Sequence, residues 1–74
     1  MASLRPLPFR EVQRKLEAAG FRVFGQKGSH VKFVKQTSEG ILTTVVPHHR
    51  EVAVGTLRSI LRQADISPDD WDRL

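Results

Sequence analysis

Three strand-like segments that follow one another at short intervals constrain the fold of this chain most strongly. Residues 21–26, 30–36 and 41–46 are each rich in β-branched or aromatic side chains. Residues 27–29 and 37–40 separate them and supply the Gly and Ser that tight turns need. A parallel connection needs roughly a dozen residues or more, so the segments are predicted to form an antiparallel meander.

Helical patterns flank the three strands. Between Pro8 and Ala19 apolar residues recur every three or four positions, which predicts a helix of about three turns that ends at Gly20. After Pro47 a polar loop leads to a second apolar stripe. That stripe consists of Leu57, Ile60, Leu61 and Ala64. Ser67 is predicted to cap a short C-terminal helical turn, and Trp71 and Leu74 are expected to dock this tail onto the body of the protein.

The predicted fold is α+β with the order α-β-β-β-α, as one domain over residues 1–74. Two helices should cover one face of a three-stranded antiparallel sheet and leave the other face open. Alternation in the second strand puts Val31 and Phe33 on one face and His30 and Lys32 on the other, so His30 faces outward if Phe33 faces the core. The third strand is apolar on both faces, and its orientation stays open.

Charge separates the body of the chain from its tail. Eleven basic and four acidic residues precede residue 65, whereas residues 65–74 hold four acidic residues and one basic residue. A basic body attracts polyanions, of which nucleic acid is the commonest, although positive charge also simply keeps a small protein in solution. No apolar run exceeds three residues, so neither a membrane span nor a signal peptide is expected, and we expect a cytoplasmic protein.

Histidine is the side chain best suited to proton transfer near neutral pH, and the chain has three. His30 follows a Gly-Ser turn, with Lys27, Lys32 and Lys35 close in sequence, which suits a phosphodiester catalyst. A solvated surface histidine is the alternative for this position. His48 and His49 are adjacent, but no further metal ligands accompany them, so we expect no metal and no cofactor.

Several motifs along the chain resemble one known family. They are Gly20-Phe21, Gln26-Lys27-Gly28-Ser29-His30, Val46-Pro47-His48-His49 and the ten residues 55–64. Together they resemble the HicA family of toxins from bacterial toxin-antitoxin modules. The resemblance implies a double-stranded-RNA-binding-domain-like fold, cleavage of mRNA and inhibition by a HicB antitoxin. It also implies that His30, the histidine of the Gly-Ser-His motif, is the catalytic residue.

Two positions depart from the family pattern. Many relatives have Arg where this chain has Gly25, and a second His where it has Val31. The missing guanidinium removes a plausible phosphate contact.

The function expected from the residues and the resemblance is metal-independent cleavage of single-stranded mRNA. The residues expected to bind RNA are Lys27, Ser29, Lys32 and Lys35. The candidate for a second acid-base group is His49 or His48. The alternatives are an RNA-binding module of the same fold that does not cleave, and a protein whose main role is docking. A duplex binder should carry lysines at the start of the last long helix, which here reads Val54-Gly55-Thr56-Leu57.

Overall fold

The computed structural model describes residues 3–74, which form six regular elements. They are α1 (Phe9–Ala18), β1 (Arg22–Lys27), β2 (His30–Thr37), β3 (Gly40–Pro47), α2 (Val54–Ala64) and α3 (Pro68–Arg73). The strands make one open antiparallel sheet in the order β1-β2-β3. The predicted α+β class and the α-β-β-β-α order are therefore confirmed, with α3 as the expected short C-terminal helix.

Two-residue turns connect the strands. Gly28 and Ser29 join β1 to β2, and Gly28 has a φ of 59°, the left-handed region that glycine enters without strain. Thr37 pairs with Gly40 across the second turn. There the Thr37 hydroxyl donates to the carbonyl of Gly40 at 2.8 Å and accepts from the backbone N–H of Glu39 at 3.2 Å. Turns this short leave the pairing of β2 with its neighbours little freedom to slip.

The inner face of the sheet is buried and the outer face is open. Val31 and Phe33 of β2 are buried, whereas His30 and Lys32 are exposed, as alternation predicted. In β3, whose orientation the sequence left open, Thr44 and Val46 face inward. Ile41 and Val45 consequently face outward, where they are 69% and 41% exposed.

A β-bulge interrupts the pairing of β1 with β2. Val23 pairs with Phe33 and Gly25 pairs with Lys32, so Phe24 is an extra residue without a ladder partner. Bulges of this kind bend a strand and re-aim its side chains. Nothing in the sequence pattern predicted it, because a bulge is a property of the pairing and not of one strand.

The two long helices pack on the inner face. Phe9 of α1 lies against Phe33, with 6.3 Å between the ring centroids. From α2, the amide oxygen of Gln63 accepts from the buried hydroxyl of Thr44 at 2.9 Å. The buried apolar core consists of Phe9, Val12, Leu16, Phe21, Val31, Phe33, Val46, Val52, Leu57, Ile60, Leu61, Ala64 and Trp71. β2 and β3 contribute only their inner faces to this core and β1 contributes no buried side chain, so the outer face is left uncovered.

One contact of the N-terminal segment was not anticipated. Leu7 and Val52 form an isolated antiparallel bridge, with backbone hydrogen bonds of 3.2 and 2.7 Å. Val52 is fully buried, although its neighbours Arg50 and Glu51 are polar and exposed as the sequence suggested. The bridge fixes the path of the chain into α2. Among the helices within residues 3–74, none has the length and apolar character needed to cross a membrane.

The acidic tail docks on α1. Ser67 caps α3 by accepting from the backbone N–H of Asp70 at 3.1 Å, as predicted, and Trp71 is buried. The Lys15 ammonium donates to the carbonyls of Trp71 at 2.8 Å and Leu74 at 3.1 Å. It also lies 5.4 Å from the Trp71 ring centroid. Lys15 thus provides a hydrogen-bond donor for carbonyl groups at the C-terminal end of α3 and holds this helix against α1.

Replacing Lys15 with Met should therefore lower stability, because the methionine keeps the apolar stem but removes the charged donor of the Trp71 carbonyl and leaves the Leu74 carbonyl only the 3.5 Å bond from Arg14. We expect a loss of about 1 to 3 kcal/mol in the free energy of unfolding, measured by urea denaturation. Arg10→Met, which removes an exposed charge from the same helix, is the control. Equal denaturation midpoints for the two variants would contradict this role of Lys15.

Candidate functional site

His30 lies at the first position of β2, directly after the Gly28-Ser29 turn, and its side chain is exposed. In the sheet it pairs with Lys27 on β1 and with Pro47 on β3. The side chain contributes to an open pocket on the outer face of the sheet. This pocket, called here the His30 pocket, is lined by Gly25, Gln26, Lys27, His30, Lys32 and Val45.

Two of the predicted RNA-binding lysines flank the histidine. Lys27 is its ladder partner, and Lys32 lies two residues further along β2, roughly 7 Å away along the strand. Lys35 has the opposite parity, and its ammonium lies 5.9 Å from the Phe21 ring centroid. The structure therefore brings Lys27 and Lys32 into the His30 pocket and leaves Lys35 outside it.

Ser29 contributes its backbone to the local structure. Its carbonyl accepts from the backbone N–H of His48 at 2.6 Å, which ties the β1–β2 turn to the end of β3. The side chain of Ser29 is exposed beside His30. This bond holds the turn that presents His30.

His48 and His49 lie in a different pocket, with Pro8, Phe9, Arg10 and Arg50. The ring of His48 stacks on that of Phe9, with 4.1 Å between the centroids and 30° between the planes. The change of side follows from alternation, because His48 comes directly after Pro47, the ladder partner of His30. Neither histidine lines the His30 pocket.

The two departures from the family pattern differ in where they lie. Gly25 forms part of the pocket wall, and a Cβ atom built there meets nothing within 4 Å, so a larger side chain would have room. Val31 is buried and faces the core, on the side of the sheet opposite His30. Only the change at Gly25 therefore alters the chemistry of the pocket.

Sequence reasoning missed Phe24 as a surface residue of this face. Its ring is 70% exposed, and the ammonium of Lys32 lies 5.1 Å from its centroid. An aromatic residue in a strand is usually assigned to a core face, and the pairing of the preceding Val23 with inward-facing Phe33 shows that this one points outward.

The chemical potential of the His30 pocket follows from its composition. An accessible imidazole can take up or release a proton, and two neighbouring ammonium groups can hold a phosphate and stabilise charge that develops on it. Across residues 3–74, no three His, Cys, Asp or Glu side chains converge where a metal ion could bind. The arrangement suits proton transfer on a polyanionic substrate.

Comparison with known proteins adds one finding. A family model described as the HicA toxin of bacterial toxin-antitoxin modules matches residues 9–66. The match begins at the first residue of α1 and ends after α2, so it contains the whole His30 pocket and excludes α3. No curated protein matches the chain.

Proposed function

The chain belongs to the HicA family of toxins from bacterial toxin-antitoxin modules, and from that premise we propose that it is an endoribonuclease that cleaves single-stranded mRNA. The observation that carries the proposal is the exposed His30 between Lys27 and Lys32 on an open sheet face. The substrate would place the protein in the cytoplasm. No cofactor or metal ion takes part in the proposed reaction.

His30 is the proposed catalytic residue. Its neutral imidazole removes the proton from a ribose 2′-OH, and that oxygen attacks the adjacent phosphorus. The bond from phosphorus to the 5′ oxygen of the next nucleotide then breaks. The products are a 2′,3′-cyclic phosphate and a 5′-OH end, while the lysines hold the phosphate oxygens. DNA lacks the 2′-OH and is not a substrate.

A second group must return a proton to the leaving 5′ oxygen. We keep His49 for this role because it lies two residues beyond Pro47, the ladder partner of His30, although its side chain lines the pocket of Pro8 and Phe9 and not the His30 pocket. His48 is the weaker candidate, since its ring is engaged with Phe9. RNA bound across the end of β3 would bring the leaving oxygen toward this loop.

A HicB-type antitoxin is the proposed inhibitor of the enzyme. A protein that covers the outer face of the sheet would exclude RNA from the His30 pocket and compete for Lys27 and Lys32. The acidic tail of this chain is engaged elsewhere, because Trp71 and the carbonyl groups near it are bound by Lys15. Inhibition therefore requires a partner molecule.

Replacing His30 with Ala should abolish cleavage. On single-stranded RNA in EDTA, we expect the His30→Ala protein to cleave at least about 100-fold more slowly than the unchanged protein, as measured by gel electrophoresis. The unchanged protein should not cleave DNA of the same sequence. Ser38→Ala, in the exposed turn between β2 and β3 and outside the pocket, is the control for general disturbance. RNA that binds but stays intact with the unchanged protein would support the non-catalytic alternative instead.

Replacing His49 with Ala should slow cleavage without weakening RNA binding, because the leaving oxygen would depart unprotonated. His48→Ala serves as the matched comparison and should act mainly on stability, through the lost stack on Phe9. Single-turnover rates and melting temperatures of both variants separate the two effects. A His49→Ala enzyme with the rate of the unchanged protein would exclude His49 as the acid.

Changes of charge in the pocket should alter the salt dependence of binding. In the His30→Ala background, Lys32→Ala should reduce the slope of log affinity against log salt by about 0.7, the value for one phosphate contact on a single strand. Gly25→Arg should raise it by a similar amount, since the position has room for the side chain. Arg62→Ala, which removes an exposed charge from α2 on the other side of the sheet, is the control. Unchanged slopes for both pocket variants would mean that the RNA runs elsewhere.

A further inference from the structure

The outer face of the sheet carries a second pocket next to the His30 pocket. It is called here the Phe24 pocket, and its lining includes Arg22, Phe24, Val34, Lys35, Gln36 and Ile41. The two pockets meet where the Lys32 ammonium, from the first, lies 5.1 Å from the Phe24 ring centroid, in the second. The open face is therefore one continuous surface that extends from the proposed catalytic histidine past an aromatic ring.

Phe24 follows Val23, whose ladder partner Phe33 faces the core, so alternation turns Phe24 to the outer face and it does not contribute to the buried core. At 70% exposure, most of its ring is accessible even with the ammonium of Lys32 nearby. Ile41, at 69% exposure, adjoins it in the same pocket. A folded chain gains nothing in stability from such an exposed patch, and patches of this kind commonly mark binding surfaces.

The charges around the ring indicate what it binds. Arg22 and Lys35 line the Phe24 pocket, and Lys27 and Lys32 line the His30 pocket. Within residues 3–74, no Asp or Glu is among the lining of either pocket. An aromatic ring among cations is the arrangement that binds single-stranded nucleic acid, in which the bases stack on the ring while the phosphates contact the cations.

We propose that Phe24 stacks a base of the RNA strand next to the phosphate that His30 cleaves, while Lys32 stays on that phosphate and Arg22 contacts the next phosphate along the strand. The inference rests on the proposed function, since the strand must enter the His30 pocket. Stacking accepts every base, so Phe24 would position the strand and add affinity with little selection of sequence. Phe24 is thus a substrate-binding residue of this chain, distinct from the catalytic group.

The test uses RNA oligonucleotides in which 2-aminopurine replaces one base at a time, bound to the His30→Ala protein so that they stay intact. Quenching of 2-aminopurine fluorescence at one position is expected, and Phe24→Ala should remove it and weaken binding roughly 5- to 150-fold. Phe24→Trp should keep both signals, and Phe24→Leu should lose the quenching. Val23→Ala is the control, because Val23 is a 43% exposed apolar residue that pairs with inward-facing Phe33.

An abasic site at the quenched position completes the test. Its effect on affinity should match that of Phe24→Ala, and the two changes combined should cost little more than either alone. Full additivity, or affinity unaffected by Phe24→Ala, would overturn the proposal. The proposal would also be overturned if the Phe24→Ala protein bound RNA normally but no longer bound its antitoxin, because this face would then bind a protein partner.

Failure of the proposed cleavage gives a different result from failure of the stack. If the protein with His30 intact does not cut RNA but Phe24-dependent quenching is observed, catalysis is refuted and the stacking stands. If RNA is cut with the same KM by the unchanged protein and by Phe24→Ala, the stacking is refuted and the cleavage stands.

Discussion

The orientation of β2 is the constraint on which the rest of the structure depends. Phe33 is fully buried and lies 6.3 Å from Phe9, so this strand can face the helices in only one way. A slip of one residue would bury His30 and Lys32 and expose Phe33 and Val31. The two-residue turns on either side of β2 resist such a slip. The packing of one aromatic residue thus decides that the histidine and its lysine face outward.

The division of the sheet into two faces follows from the placement of the helices on one side of it. Both long helices lie on the inner face, where they cover the buried side chains of β2 and β3. The outer face is consequently free of packing requirements and can hold charges and a bulge. Its composition of lysine, histidine and exposed phenylalanine is intelligible as a surface for RNA, whereas a face selected only for stability would bury Phe24.

Much of the fold was predictable because local patterns and global packing agree. The apolar stripes of both helices, the short turns and the Ser67 cap lie where the sequence indicated, within one or two residues. The exposure of His30 was predictable for the same reason, since side chains alternate along β2 and the apolar Val31 and Phe33 must face the core.

The features that escaped prediction depend on pairs of segments. β3 is apolar on both faces, so only the packing of Thr44 and Val46 shows which face is inside. The bulge at Phe24 and the Leu7–Val52 bridge exist only through the partner strand. The stack of His48 on Phe9 joins residues far apart in sequence. The catalytic assignment of His30 came from the family resemblance, and the geometry supplies its chemical surroundings.

The most direct test of the central claim is a map of where RNA binds the folded protein. Backbone amide chemical shifts of the His30→Ala protein can be followed by NMR during titration with single-stranded RNA. The account predicts that shifts concentrate on the outer-face strand positions, Lys27, Lys32 and Val45 foremost, while the amides of α1 and α2 change little. Shifts confined to the start of α2, at residues 54–57, with an unperturbed sheet would contradict it.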